Sequence, residues 1–321
     1  MNILVTGATG FIGQLLCAHL LERSWRVYGT LLASESPTSL IAGVTPIIID
    51  PLGPDTEWRH ALANIDVIIH LAARVHIMEE TVSNPLIEFR KVNVEGTQRL
   101  ALDAVRAGVK RLVFISSIKV NGEEAALPYT DRSPEQPVEF YGISKWEAEQ
   151  ALRLIEAESD LEITIIRPTL VYGPGVKANF LNMLRVIQSG FPLPFASIDN
   201  KRSMIYVGNL VDALAISSVH PAAAGQTFLV SDGEDVSTPE LIRRLANAFA
   251  LPARLLSVPQ FILNLLGKMT GKSAAIVRLT GSLTVDISGI RQRLGWCPPF
   301  TMDEGLRATA EWYLNTHRGK Q

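Results

Sequence analysis

Asn2-Ile3-Leu4-Val5-Thr6-Gly7-Ala8-Thr9-Gly10-Phe11-Ile12-Gly13 is the stretch on which the reading of this chain turns. Its first five residues are mostly apolar or β-branched and predict a short buried strand. Glycines follow at 7, 10 and 13. From Gln14 to Arg23 the apolar residues Leu15, Leu16, Ala18, Leu20 and Leu21 predict an amphipathic helix. Strand, glycine turn and helix together present free backbone N–H groups and the positive end of a helix dipole, which suits a pyrophosphate. The spacing is Gly-x-x-Gly-x-x-Gly, not the Gly-x-Gly-x-x-Gly of common dinucleotide-binding turns.

Working outward, a second strand spans 26–32. An acid at its end would bond a ribose 2′-hydroxyl, and an arginine there would accept a 2′-phosphate. Leu31, Leu32, Ala33 and Ser34 supply neither, with Glu35 and Ser36 just beyond, so NAD and NADP both stay open. The third strand, 44–50, ends in Asp50. The fourth, 65–71, runs through His70 and Leu71 into Ala72 and Ala73, small residues that let a cofactor lie against the backbone. His70, at the end of an apolar strand, is read as a satisfied core histidine. A helix around Asn93-Val-Glu-Gly-Thr97 has Gly108 as its C-cap, and a strand from Lys110 ends in Ser116-Ser117. Strands alternating with helices predict an α/β, doubly wound parallel sheet, with functional groups beyond the carboxyl ends of the strands.

Tyr141-Gly-Ile-Ser-Lys145 opens a later helix and puts a phenol and an ammonium about one turn apart on one face. A free phenol, with a pKa of ~10, is a poor base at neutral pH. A nearby ammonium favours the phenolate, which makes the pair a candidate for proton transfer.

Composition sets bounds on all of this. The 321 residues are 47% apolar and 19% charged, with a formal net charge of −2. That balance gives no reason to expect nucleic acid or an anionic membrane as partner. The two cysteines, Cys17 and Cys297, lie far apart without metal-ligand spacing, so neither a disulfide framework nor a metal site is expected. A reducing cytoplasm fits them. No signal peptide and no membrane span are expected: the apolar run from Val258 to Leu266 contains Pro259 and Gln260 and is too short.

Six motifs stand in order: Gly7-x-x-Gly10-x-x-Gly13, His70-Leu-Ala-Ala73, Asn93-Val-x-Gly-Thr97, Ser116-Ser117, Tyr141-x-x-x-Lys145 and Arg167-Pro-Thr-Leu-Val-Tyr-Gly-Pro174. Together they resemble the extended short-chain dehydrogenase/reductase family, the nucleotide-sugar epimerases, dehydratases and reductases. The resemblance covers nearly the whole chain, through Leu294-Gly-Trp296. It implies a Rossmann domain over 1–174, with 203–232 returning to it. A smaller α/β domain for the nucleotide sugar would comprise 175–202 and 233–321. It also implies Tyr141 as proton donor or acceptor, Ser117 as its partner on the substrate oxygen, and Lys145 as the group that lowers the Tyr141 pKa and holds the nicotinamide ribose. Cofactor contacts are implied for Gly7, Thr9, Gly10, Phe11, Ile12, Gly13, Asp50, Leu71, Ala72, Ala73 and Pro168. Asn179, Arg202 and Arg278 would meet a nucleotide sugar, UDP-linked, and the family implies a homodimer through the Asn93 and Tyr141 helices.

Dehydratases of the family carry an Asp-Glu pair after the catalytic hydroxyl, whereas Ser117 is followed by Ile118-Lys119. Two chemistries at carbon 4 remain. The segments 116–123, 255–259 and 279–286 resemble a branch of UDP-4-keto-sugar reductases (the UDP-N-acetylquinovosamine dehydrogenase type) and favour that reading. A UDP-hexose or UDP-N-acetylhexosamine 4-epimerase with tightly held NAD is the alternative. A non-catalytic dinucleotide sensor is the more distant one, since Ser117, Tyr141 and Lys145 are all present.

Overall fold

The computed structural model describes residues 1–75, 84–269, 271 and 273–317. The strands are β1 (Asn2–Thr6), β2 (Arg26–Leu32), β3 (Thr45–Ile49), β4 (Val67–His70), β5 (Arg111–Ile115), β6 (Glu162–Pro168), β7 (Leu170–Tyr172), β8 (Arg202–Tyr206), β9 (Thr227–Val230) and β10 (Asp235–Val236). Seven of them form one parallel sheet in the order β3-β2-β1-β4-β5-β6-β9. The chain leaves the centre in one direction, returns, and leaves in the other, which is the doubly wound order expected from the motifs.

The first helices are α1 (Phe11–Glu22), α2 (Pro85–Arg90), α3 (Gly96–Ala107), α4 (Phe140–Ala157), α5 (Ala178–Gln188) and α6 (Val207–Val219). Side chains alternate across each strand. In β1, Ile3 and Val5 join a core with Leu16 and Leu20 of α1 and Leu210 and Leu214 of α6. Leu4 points the other way, into a core with Leu100 and Ala104 of α3 and Leu152 of α4. Two apolar layers therefore sandwich strands that are buried on both faces, as a parallel sheet requires.

The remaining helices are α7 (Thr238–Ala248), α8 (Gln260–Met269), α9 (Ser273–Thr280), α10 (Ser288–Leu294) and α11 (Met302–His317). A third core joins Phe180 and Leu184 of α5, Leu245 of α7, and Leu306 and Tyr313 of α11. Within 203–232, α6 packs into the first core and β9 joins the main sheet, as expected of the 226–230 strand, while β8 pairs in parallel with β7 and antiparallel with β10 in a separate three-stranded sheet. Met204 of β8 faces the third core, while Ile205 faces the first. The strand is thus a two-sided wall between the halves of the molecule. Among the described residues no helix is long and apolar enough to cross a membrane.

Candidate active site

Sheet order reverses between β1 and β4, so a crevice opens beyond Thr6 and His70, which are paired in register. Thr6 Oγ1 accepts from the backbone N–H of Leu71 at 3.2 Å and of Ala72 at 3.1 Å. Its own hydrogen is then left for His70 Nδ1 at 2.7 Å, so the Nε2–H of His70 meets Thr97 Oγ1 at 3.0 Å. Burial, with the Lys145 charge adding, holds the imidazole pKa down at about 3. His70 is the satisfied core histidine expected from the sequence, and it fixes the loop Leu71–Ala73 beside the glycine turn.

That turn fits a dinucleotide. Gly7 has φ +69°, and the Gly10 N–H donates to Gly7 O at 3.0 Å. A Cβ at Gly13 would stand 2.1 Å from Gly7 O, and one at Gly7 would stand 3.0 Å from Ala72 N. Turn, α1 and the Leu71–Ala73 loop are packed as closely as backbone allows, with Thr9, Phe11 and Ile12 around the helix start. Glu35, just past β2, is held by Thr9 Oγ1 at 2.7 Å and Leu32 N at 2.8 Å. A carboxylate fixed beside the glycine turn suits a ribose 2′-hydroxyl and repels a 2′-phosphate, which favours NAD over NADP. The strand end itself offered no such acid, and only the fold of the following turn brings Glu35 back. Asp50, exposed, follows β3 at the same end of the sheet.

Ser117 follows β5 and caps a 3₁₀ turn, Ile118–Val120, accepting from Lys119 N at 3.2 Å. Tyr141 is the second residue of α4. Turn and helix meet at Gly142, where a Cβ would lie 2.8 Å from Lys119 O, and this contact holds Ser117 and Tyr141 at one end of the sheet. Ser144 Oγ donates to Tyr141 O at 2.8 Å and accepts from Asn93 Nδ2 at 3.0 Å. Asn93 also grips the Arg74 backbone, with Oδ1 to N at 2.8 Å and Nδ2 to O at 3.0 Å. Asn93 sits in a single π turn, Lys91–Glu95, a distortion that recurs at functional sites.

Lys145 is buried. Its Nζ donates to Ile115 O at 2.8 Å and lies 4.4 Å from the Phe114 ring centroid and 6.0 Å from that of Tyr141. Burial lowers the ammonium pKa to about 7, and the Glu149 charge one turn on pulls it back upward. Burial raises the half-buried Tyr141 to about 12. The sequence predicts that Lys145 lowers the phenol; in the structure burial raises it, and the ammonium donates to Ile115 O.

Arg167 is interior and not mere punctuation at a strand end. It binds Glu149 through Nε at 3.0 Å and Nη2 at 2.5 Å, Asn121 Oδ1 at 3.1 Å and Glu135 at 3.1 Å. Pro168 follows it, paired with Val230 of β9. A cavity of about 290 Å³ lies in the second half, lined by Asn179, Met183, Val186, Leu193, Phe195 and Arg278 among others. Two of the three expected substrate residues thus share one wall. The third, Arg202, gives its Nη1 to the carbonyls of Arg278 at 2.7 Å and Gly281 at 3.0 Å and buttresses that wall from behind. Arg278 itself bonds Glu139 at 3.1 Å, and Lys119 Nζ pairs with the same carboxylate. Glu139 is the N-cap residue of α4, so this ion-pair chain joins the cavity to the catalytic turn. Glu139, Glu149 and the Arg167 side chain are absent from the sequence-based site, where Glu35 stood only as a residue just beyond the second strand. Glu149, at helical spacing from Lys145, is the one that a search for acids on the buried face would have found.

Comparison with known proteins agrees with this geometry. The model of the NAD dependent epimerase/dehydratase family matches residues 3–231. A UDP-glucose 4-epimerase of Vibrio cholerae is 44% identical, over 98% of this chain and 96% of that protein. An N-acetyl-alpha-D-glucosaminyl-diphospho-ditrans,octacis-undecaprenol 4-epimerase of Escherichia coli O157:H7 is 28% identical, over 97% and 95%. The solved structure of MoeE5 in complex with UDP-glucose and NAD superimposes over 100% of both chains with a TM-score of 0.78 at 25% identity. With the glycine turn, the Glu35 carboxylate and the Ser117, Tyr141 and Lys145 set in place, the chain belongs to the NAD dependent epimerase/dehydratase family and is an NAD-dependent enzyme.

Proposed function

We propose that this enzyme is a UDP-sugar 4-epimerase, and the observation that carries the proposal is its 44% identity, end to end, to a UDP-glucose 4-epimerase. This replaces the 4-keto-sugar reductase favoured by three short segments of sequence. Both reactions use the same site, so a full-length relative's chemistry outweighs segment likeness. NAD, when bound, supplies the hydride acceptor for carbon 4 and, oxidised, a positive charge beside it.

Tyr141 takes the proton of the 4-hydroxyl as that carbon is oxidised and returns a proton when the ketone is reduced on its other face. Ser117 donates to the same oxygen and fixes its position. Lys145, already beside the Tyr141 ring, offsets the phenolate charge. A phenol near 12 needs that help to act as a base at neutral pH. The apolar cavity wall suits a nucleobase, with Arg278 and Asn179 at hand for a diphosphate, which would take Arg278 from Glu139. A homodimer belongs to the same reading, since Leu102 and Val105 on α3 and Leu154 on α4 are apolar and exposed. So does a reducing cytoplasm, which suits free Cys17 and Cys297.

The test is direct. Purified protein is denatured and released NAD is measured, and native protein is incubated with UDP-glucose or UDP-N-acetylglucosamine and no added cofactor. The expected outcome is bound NAD and formation of the 4-epimer, reduced at least about a hundredfold in Tyr141→Phe. Turnover of a 4-keto sugar that requires added NADH or NADPH would restore the reductase instead.

A further inference from the structure

α8 is apolar on two sides. Leu263 and Gly267 are buried, and a Cβ at Gly267 would stand 3.0 Å from Ile276 Cγ1 and 3.3 Å from Ser273 Cα of α9. The two helices therefore cross at that glycine, and the crossing fixes which side of α8 is enclosed. Phe261, Leu265 and Met269, each four residues apart, stand on the outer side and are 71%, 56% and 75% exposed. The adjacent row, Gln260, Asn264 and Lys268, is polar. A helix normally encloses its apolar rows, and the outer apolar row of this one has no cover within the described residues.

Leu256 and Phe191 are also exposed, and the segments that carry them are joined by hydrogen bonds from Leu193 N to Arg254 O and from Leu256 N to Leu193 O, both 2.8 Å. Leu193 and Phe195 of the same segment line the cavity of the site. The charge pattern identifies what would cover this surface. Between Glu240 and Asp286 the sequence holds no acid, but holds Arg243, Arg244, Arg254, Lys268, Lys272 and Arg278. Arg244 is neutralised by Glu234 and Glu240, and Arg278 by Glu139. Arg254, whose Nη1 gives a bond to Gly190 O at 3.3 Å, and Lys268 on α8 itself are exposed, with no ion pair among the described residues.

An exposed stripe of Phe, Leu and Met, in a stretch of sequence that holds bases and no acid, is the pattern of a helix that lies in a membrane interface, and Asp199 is an exposed acid on the segment bonded to 256–257. We propose that α8 and the adjoining 254–256 segment dock on the surface of an anionic phospholipid bilayer, with Phe261, Leu265 and Met269 at the boundary of headgroups and acyl chains. The net charge of −2 conceals this patch, because the acids lie elsewhere in the chain. The docking does not depend on which sugar reaction the enzyme performs.

The full-length protein is floated with phosphatidylcholine vesicles, with and without about 30 mol % phosphatidylglycerol. It is expected to float with the anionic vesicles at low salt, less at high salt, and to stay behind with pure phosphatidylcholine. Phe261→Ser/Leu265→Ser/Met269→Ser and, separately, Lys268→Glu should each weaken flotation, the triple change at least about tenfold. Both should leave the melting temperature and the turnover of soluble nucleotide sugar unchanged. If the triple variant does not fold, the Lys268→Glu result decides. Absence of flotation, or flotation indifferent to both variants, overturns the proposal. So does a lipid-free drop in oligomer size in the triple variant, which would give the stripe to a second copy of the chain.

Discussion

Lys145 carries its charge where water does not reach it, and that sets a measurable pH dependence. Its folded pKa of about 7 lies below the ordinary 10.5. Below about pH 7 both the folded and the unfolded chain hold the proton, and the cost of burying the charge is present in full. Between the two values the unfolded chain binds more protons, so stability rises with pH. The cost at low pH is on the order of 4 kcal/mol. In cofactor-free protein, Lys145→Met is therefore expected to raise the melting temperature at pH 6, with a smaller gain at pH 9, while abolishing turnover. A gain of equal size at both pH values would show that something other than the buried charge is being relieved. Glu35 makes the second prediction at this scale. With its carboxylate fixed by Thr9 and Leu32, Glu35→Ser should shrink the preference for NAD over NADP by about tenfold or more, read from the two dissociation constants.

Between residues and the whole lies the way elements are tied. Arg167 at the end of β6 holds Glu149 on α4 and Asn121 at the close of the Ser117 turn, so one guanidinium joins the two elements that carry the proposed catalytic groups. Removing one partner strands the other charge in the interior. Glu149→Gln should lower stability to urea by roughly 3 kcal/mol, and pairing it with Arg167→Met should recover part of that loss. It should also move a kinetic observable. Glu149 raises the Lys145 pKa, so without it the charged form is lost sooner as pH rises, and the alkaline limb of kcat shifts to lower pH. A stability loss with an unmoved pH profile would reduce the pair to scaffolding. Much at this scale was legible: the glycine turn, the Ser117 strand end and the Tyr141 helix are local patterns. The partner of β8 was not, because alternating apolar residues show that a strand has two faces without saying which sheet it joins.

In the molecule as a whole, the crevice proposed for the cofactor and the cavity proposed for the nucleotide lie in different halves, so substitutions in one should spare binding in the other. Arg278→Ala should reduce the rise in melting temperature produced by UDP and leave that produced by NAD unchanged, measured by thermal shift at saturating ligand. Equal loss of both responses would mean that Arg278 supports the fold and not a diphosphate. The sequence by itself determined the doubly wound sheet and the family, and it named the set proposed for proton transfer, because strand periodicity, glycine turns and a Tyr-x-x-x-Lys helix are specified by neighbours within a few residues. The tertiary structure alone decided the polarity of the rest: Glu35 against Thr9, Glu149 under Arg167, Glu139 on Arg278, Arg202 behind the cavity wall, and the uncovered side of α8. Charges act through space, and Glu139 meets a partner 139 positions away. A net charge or a short motif carries no record of which groups the fold brings into contact.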